Sequence, residues 1–149
     1  MAKNTTGYFL NTQSWVFLNN LTSTSAQTLL TGVTDDTWVY DIVITSTATN
    51  ALSAKVYLED GSGNQIRLKT MTLALGNQIL IGQGTTTANP LRLMQSSDGN
   101  QITVRLLDRD QNYYIPIPNG VKLMFQLDTA PTGVGGSVNI AVFKRDFTG

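Results

Sequence analysis

The feature that most limits what this chain can fold into is a period-two alternation of apolar and polar residues, repeated in short runs along its length. Successive side chains of a β-strand point to opposite faces of a sheet, so such runs predict half-buried strands. Segments 54–59, 121–128 and 138–143 alternate clearly, and the alternation in segment 38–45 predicts one shared face. That face carries Trp38, Tyr40, Ile42 and Ile44. No window of useful length has the spacing of an amphipathic helix.

Turn residues between the runs complete a β-sheet pattern. Segment 60–64 is Asp-Gly-Ser-Gly-Asn, and Asn119-Gly120 and the glycine-rich segment 133–136 interrupt the later part of the chain. Short strands separated by turns about every 8–12 residues indicate a sandwich or a barrel. About eight strands in a chain of 149 residues suit a jelly roll best. We therefore predict an all-β fold, a jelly-roll-like antiparallel β-sandwich of about eight to ten strands with an N-terminal arm.

The length of the chain suits one domain. Residues 1–24 are polar with scattered apolar positions, which predicts an N-terminal arm or an edge strand, and residues 25–149 form the single predicted β-sandwich domain. The first residues have no hydrophobic signal region, so we expect synthesis in the cytosol without export. No run approaches the ~18 apolar residues of a membrane span, so we expect no membrane partner.

Charge argues against a nucleic-acid partner. Ten basic and ten acidic residues give a net charge of zero, without the basic stripe that neutralises phosphates. Charged residues make up 13% of the chain, against about 25% in an ordinary domain. Uncharged polar residues replace them, and such a surface can contact other protein at a low desolvation cost.

Catalytic chemistry lacks its usual residues. The chain has no histidine and no cysteine, which removes the common general base, the thiolate nucleophile and the ordinary zinc ligands. A carboxylate pair would remain possible, and Asp41 is the one acidic residue placed in the middle of a strand among apolar neighbours. Such a residue more commonly lies on an exposed face or has a cross-strand partner. We therefore expect no enzyme, no cofactor and no metal.

Three loops resemble ligand sites without completing them. Segment 108–112 has the spacing that opens a calcium loop, but Tyr113 stands where glycine is needed and Asn119 where the bidentate glutamate belongs. Asp35-Asp36 is similarly short of ligands. Segment 82–87 is rich in glycine but has no P-loop lysine. We predict that all three are plain connections between strands.

The aromatic residues leave two interpretations open. A sugar-stacking platform could be built from Trp15, Trp38, Tyr40, Tyr57, Tyr113 and Tyr114, although packing in the core or in an interface is commoner at alternating positions. Two prolines follow the last tyrosines, and because proline cannot donate to a ladder this segment belongs on an edge. The candidate subunit interface is formed by Tyr113, Tyr114, Pro116 and Pro118. An edge that the prolines protect from aggregation is the alternative.

Several segments together resemble a family of virion proteins. They are Trp-Val-Tyr-Asp-Ile-Val-Ile-Thr at 38–45, Ala-Lys-Val-Tyr-Leu-Glu-Asp-Gly-Ser-Gly at 54–63 and Asn-Gln-Ile-Thr-Val-Arg at 100–105. With the composition free of histidine and cysteine, this pattern is similar to that of small β-sandwich proteins of tailed bacteriophages. The likeness extends over roughly residues 36–146 and contains no active-site motif, so no site residue carries over.

The resemblance implies a head decoration (cement) protein located on the capsid surface of the virion and made in the host cytoplasm. Its partners would be the major capsid protein or other virion proteins, and it would form a homo-oligomer, a trimer by analogy. The N-terminal arm would reach a neighbouring subunit. Two alternatives remain open: a tail- or fibre-associated adaptor or receptor-binding module, and a carbohydrate-binding β-sandwich.

Overall fold

The fold consists of β-strands joined by turns. The computed structural model describes residues 10–73, 78–81, 106–107 and 113–148, and all regular structure in these ranges is β. The ten strands in these ranges are β1 (Leu10–Leu21), β2 (Gln27–Thr31), β3 (Thr37–Ser46), β4 (Leu52–Glu59), β5 (Gln65–Leu73), β6 (Gln78–Ile81), β7 (Leu106–Leu107), β8 (Tyr113–Ile117), β9 (Lys122–Leu127) and β10 (Val138–Thr148). These described ranges therefore contain no helix that could cross a membrane.

The strands form two antiparallel sheets with jelly-roll topology. The six-stranded sheet has the order β1-β10-β3-β8-β7, with β6 also paired to β3, and the four-stranded sheet has the order β2-β9-β4-β5. Early strands pair with late ones: β1 with β10, β2 with β9, β3 with β6, and β4 with β5. This order results when one long hairpin is rolled into two facing sheets, as in a jelly roll. The predicted all-β sandwich is confirmed.

Strand β3 has two partners along one of its edges. Its opposite edge pairs with β10. On the edge that does not contact β10, β8 pairs with the beginning of β3, and β6 pairs with its later residues from Ile42 to Thr45. The pair of β7 and β8 therefore adds to this sheet, which has six described strands where an eight-stranded jelly roll has four in each sheet.

The core lies between the two sheets and is aliphatic. Predicted alternation is confirmed in β9, where Leu123, Phe125 and Leu127 are buried, and in β10, where Val138, Ile140 and Val142 are buried. Because alternate side chains of each strand point inward, the two sheets cover one continuous hydrophobic cluster.

A β-bulge in β3 corrects one prediction. Phe143 pairs with Asp41 and Lys144 pairs with Val39, so Tyr40 is an extra residue in β3. The inserted residue reverses the alternation between its two sides, so Val39, directly before the bulge, joins the core together with Ile42 after it. The shared face predicted for Trp38, Tyr40, Ile42 and Ile44 is wrong. The two aromatic residues lie on the face that points away from the core.

The predicted hairpin at residues 60–64 is confirmed. It joins β4 to β5, and the Asp60 carboxylate accepts hydrogen bonds from the backbone N–H groups of Ser62, at 2.8 Å, and Asn64, at 2.9 Å. Asn64 Nδ2 donates to the second carboxylate oxygen at 2.8 Å. The Asn64 side chain first, and then the backbone donors, hold the pKa of Asp60 below its ordinary value of 3.8.

A buried polar cluster ties the beginning of β3 to the end of β10. Thr37 is fully buried, and its hydroxyl donates to Asp146 Oδ1 at 2.7 Å. The same hydroxyl accepts the backbone N–H of Val33 at 3.3 Å. Lys144 forms an ion pair with Asp146. These contacts satisfy polar groups at the end of the sandwich, where the aliphatic core stops.

Candidate functional site

The outward-pointing face of the six-stranded sheet is lined by aromatic side chains. Pairing registers place Trp15 of β1 opposite Phe143 of β10, and Trp38 of β3 between Arg145 of β10 and Pro116 of β8. Directly opposite residues in antiparallel strands share a face, so these side chains lie side by side. We call this surface the aromatic face, defined by Trp15, Phe17, Trp38, Tyr40, Tyr114, Phe143 and Phe147.

The rings form one chain of contacts across four strands. At the β8 end, Trp38 stacks on Tyr114 with ring centroids 3.9 Å apart and an angle of 16° between the planes. Trp38 also contacts Phe147 at 4.4 Å. The Tyr40 ring lies 6.1 Å from Tyr114 and so connects this stack to the centre of the sheet. Each such pair contributes about 0.5–1.5 kcal/mol beyond the burial of its area.

At the β1 end the chain of rings continues to the edge of the sheet. Phe143 lies 6.2 Å from Tyr40 and 5.1 Å from Trp15, measured between ring centroids. Trp15 in turn stacks with Phe17 at 6.3 Å. Exposure increases toward this end: Tyr40 is 3% exposed, whereas Trp15 is 47% and Phe17 64% exposed. The centre of the aromatic face is therefore structural, and its β1 end is open.

One cation lies among the rings. The Arg145 guanidinium carbon is 5.3 Å from the centroid of the Tyr40 ring, which is the geometry of a cation–π contact. The Arg145 Nε is buried and has no hydrogen-bond partner among the described residues. This buried donor lies among the rings, on a face whose other charged group in the described residues is the outward-pointing Asp41.

The outward-pointing face of the four-stranded sheet has a different chemistry. Lys55 and Tyr57 of β4 lie opposite Gln126 and Met124 of β9, and the Lys55 ammonium is 5.2 Å from the centroid of the Tyr57 ring. Burial, and secondarily the nearby Glu59 carboxylate, raises the pKa of Tyr57. Tyr57 is thus separated from Trp15, Trp38, Tyr40 and Tyr114 by the whole thickness of the sandwich.

The structure does not place the four predicted interface residues on one described surface. Tyr114 and Pro116 lie on the outward-pointing side of β8, because Ile115 and Ile117 point into the core. Tyr113 is in the same strand, but its side chain is outside the described part of the structure. The exposed residue Pro118 follows the strand, and its carbonyl accepts the N–H of Val121 at 3.0 Å. Their role as a subunit interface stays a prediction.

The loops that resembled ligand sites add no site within the described ranges. Asp36 has a φ of 85° in the turn before β3, and segments 82–87 and 108–112 lie outside the described residues. No group of three or more acidic, histidine or cysteine residues in the described part of the chain could hold a metal. Asp41 points outward beside Phe143 and is half-buried.

Three members of the aromatic face were missed at the level of sequence. Phe17, Phe143 and Phe147 complete the surface, and their signal is the spacing of aromatic residues at every second or fourth position in β1 and β10. The pairing of these two strands, at opposite ends of the chain, brings them together. Periodicity within one segment contains no information about its partner strand.

Comparison with known proteins gives no relative from which a function could be transferred. No protein-family model matches the sequence, and no curated protein matches it significantly. The aromatic face and the topology are therefore the observations from which a function can be argued. Such a face binds by burying apolar area and by stacking.

Proposed function

We propose that this chain is a non-enzymatic structural protein of a virus particle, a decoration (cement) protein that binds the phage head lattice through its aromatic face. The observation that carries the proposal is the aromatic outward-pointing side of the six-stranded sheet. In an antiparallel sandwich that side ordinarily faces water and is polar. Interfaces are enriched in tyrosine, tryptophan, phenylalanine and arginine, and depleted of lysine and acidic residues at their centre.

The fold supports this proposal at a coarser level. Double-sheet jelly rolls occur in viral capsid proteins and in lectins, and both classes bind through surfaces rather than through catalytic pockets. The resemblance in segments 38–45, 54–63 and 100–105 is our reason for proposing a phage virion protein among these classes. A regular capsid lattice offers many copies of one docking surface, so contacts that are weak individually add up when the decoration protein is itself oligomeric.

A reconstitution experiment tests the proposal. Purified chain is added to expanded phage heads that lack it, and the temperature of head disruption is followed by light scattering. We expect the wild-type chain to co-sediment with the heads and to raise that temperature. Tyr114→Ser should weaken co-sedimentation, because it removes a ring from the stack on Trp38.

The matched control for this experiment is Ile66→Ser. Ile66 is an apolar residue of the four-stranded sheet and is 67% exposed, so its replacement leaves the aromatic face intact. Circular dichroism spectra and thermal unfolding of both variants check that they are folded. Absence of the wild-type chain from heads, or its presence only in isolated tails, would contradict the decoration role. The latter result would favour the tail- or fibre-associated adaptor.

A carbohydrate-binding function is the second candidate, and one observation favours it. The Trp15 and Phe17 rings are exposed and lie at 21° to each other, which makes a nearly continuous platform for a sugar ring. A glycan array separates the two candidates. Binding to a defined glycan that is lost in Trp15→Ala would support the lectin-like function, and an array without signal would leave the decoration role in place.

A further inference from the structure

We infer that the β1 strands of two copies of this chain pair with each other in antiparallel fashion, joining two six-stranded sheets into one. Strand β1 lies at the end of its sheet, and β10 is its only hydrogen-bonded neighbour among the described strands. Within the part of the chain that the structure describes, its second edge therefore presents backbone N–H and C=O groups that another strand can pair with. This inference does not rest on the proposed function, because it concerns the free protein.

The other described edges are protected in the ways that natural sheets use. Strand β5 carries Arg67, β2 is only 5 residues long, β6 has 4 residues, and β7, at the other end of the six-stranded sheet, has 2 residues. Charged side chains, prolines and short length all discourage edge-to-edge pairing. Strand β1 has none of these features: it is 12 residues long and contains neither a charged residue nor a proline.

The sequence of β1 is complementary to itself in one antiparallel register. With the two-fold axis at Val16, Trp15 of one copy lies opposite Phe17 of the other, and Val16 lies opposite its own counterpart. Opposite residues share a face, so the rings of both copies stay on the outward-pointing side. Val16 and Leu18, which pack against the core cluster, stay on the inner side. The two aromatic faces thereby become one.

The exposed rings supply part of the area that such a contact requires. A buried aromatic side chain covers about 150–250 Å², so the open fractions of Trp15 and Phe17 leave roughly 100 Å² each. Two copies of both rings give roughly 400 Å², about a third of the ~1,200 Å² at the lower limit of specific interfaces. The paired strands must cover the larger share. A second copy fits as the occupant because both sides of the contact are then uncharged.

Analytical ultracentrifugation of the full chain tests the pairing. We expect a dimer that dissociates on dilution, and a monomer for Phe17→Lys, because a lysine at this edge discourages strand pairing and the aromatic contact with Trp15 is lost. The matched control is Ile66→Lys, since Ile66 is 67% exposed against 64% for Phe17 and should remain dimeric. A wild-type monomer or trimer, or a dimer that survives Phe17→Lys, would overturn the inference.

Cross-linking tests the register independently of affinity. The chain has no cysteine, so a single introduced cysteine can form a disulfide only between copies. In Val16→Cys the two Cα atoms should lie about 4.5–5.5 Å apart, within the range that a disulfide spans. In Leu18→Cys, on the same face of β1, they should be about 14 Å apart, because they are offset by four residues along the strands. We expect a disulfide dimer for the first variant only, and equal cross-linking of both would exclude this register.

Discussion

At the scale of single residues, the carboxylate of Asp60 shows how one side chain can define a hairpin. It accepts hydrogen bonds from two backbone N–H groups and one side-chain amide within the five-residue turn. This turn joins β4 to β5. The glycine at position 63 has a φ of 84°, a conformation that other residues adopt only with strain. The aspartate and the glycine are the residues that the sequence pattern singles out.

The turn predicts a particular pH dependence. The pKa of Asp60 is lower in the folded chain than the ordinary 3.8, so its contribution to stability is complete above pH 3.8 and is lost as the pH falls through the lowered folded value. Asp60→Asn should therefore lower the melting temperature at neutral pH and approach the wild type in acid. Thermal scans of both proteins between neutral pH and pH 2 provide the measurement. A difference that stays constant over this range would contradict the assignment.

At the scale of elements, the bulge in β3 determines which side chains of this strand point to the core and which point outward. If β3 continued its regular alternation through Tyr40 without a bulge, Trp38 would share the inward-pointing side with Ile42 instead of stacking on Tyr114. Bulges of this kind redirect side chains near functional surfaces. The aromatic face thus depends on one backbone irregularity in the central strand of its sheet. Strand β1 completes the face from the edge.

The two ends of the aromatic face should respond differently to truncation. Tyr40→Ala removes a ring that is only 3% exposed, and we expect a loss of about 3–5 kcal/mol in the free energy of unfolding. Phe17→Ala removes a ring that is 64% exposed, and the free energy of unfolding of the monomer should change by no more than about 0.5 kcal/mol. Urea denaturation of dilute protein measures both. Similar losses would mean that the β1 end is structural too.

At the scale of the whole molecule, the two outward-pointing surfaces differ in chemistry. The four-stranded sheet presents lysine, glutamine and threonine side chains beside Tyr57 and Met124, whereas the described part of the six-stranded sheet presents a cluster of rings together with Arg145 and Asp41. The sandwich therefore has one mainly polar side and one mainly aromatic side. The aromatic side is suited to contact with protein, and the polar side is suited to water.

This asymmetry predicts that the proposed binding to phage heads depends weakly on salt. Screening lengths fall from about 10 Å at 0.1 M to about 3 Å at 1 M salt, which weakens contacts between exposed charges but not the burial of apolar area. We expect the fraction of chain that co-sediments with heads to be retained at 1 M sodium chloride. Release of the chain by salt would show that charged residues outside the aromatic face hold the complex together.

Several features follow from local sequence alone. Alternation in β9 and β10 identified the core residues, and the turns at 60–64 and 119–120 identified two connections, because side-chain direction and turn conformation are properties of a few neighbouring residues. The number of strands in a chain of this length also indicated the jelly roll. The virion role rests on likeness and remains a proposal.

The tertiary structure decided which strands meet and where the register shifts. The bulge at Tyr40 forms where β3 pairs with β10, about a hundred residues later, and an extra residue has no signature in the alternation of β3 itself. The aromatic face likewise required β1, β3, β8 and β10 to lie side by side. Local chemistry determines the faces of each strand. Only long-range pairing determines which faces combine into a surface, because that choice depends on the total burial of the folded chain.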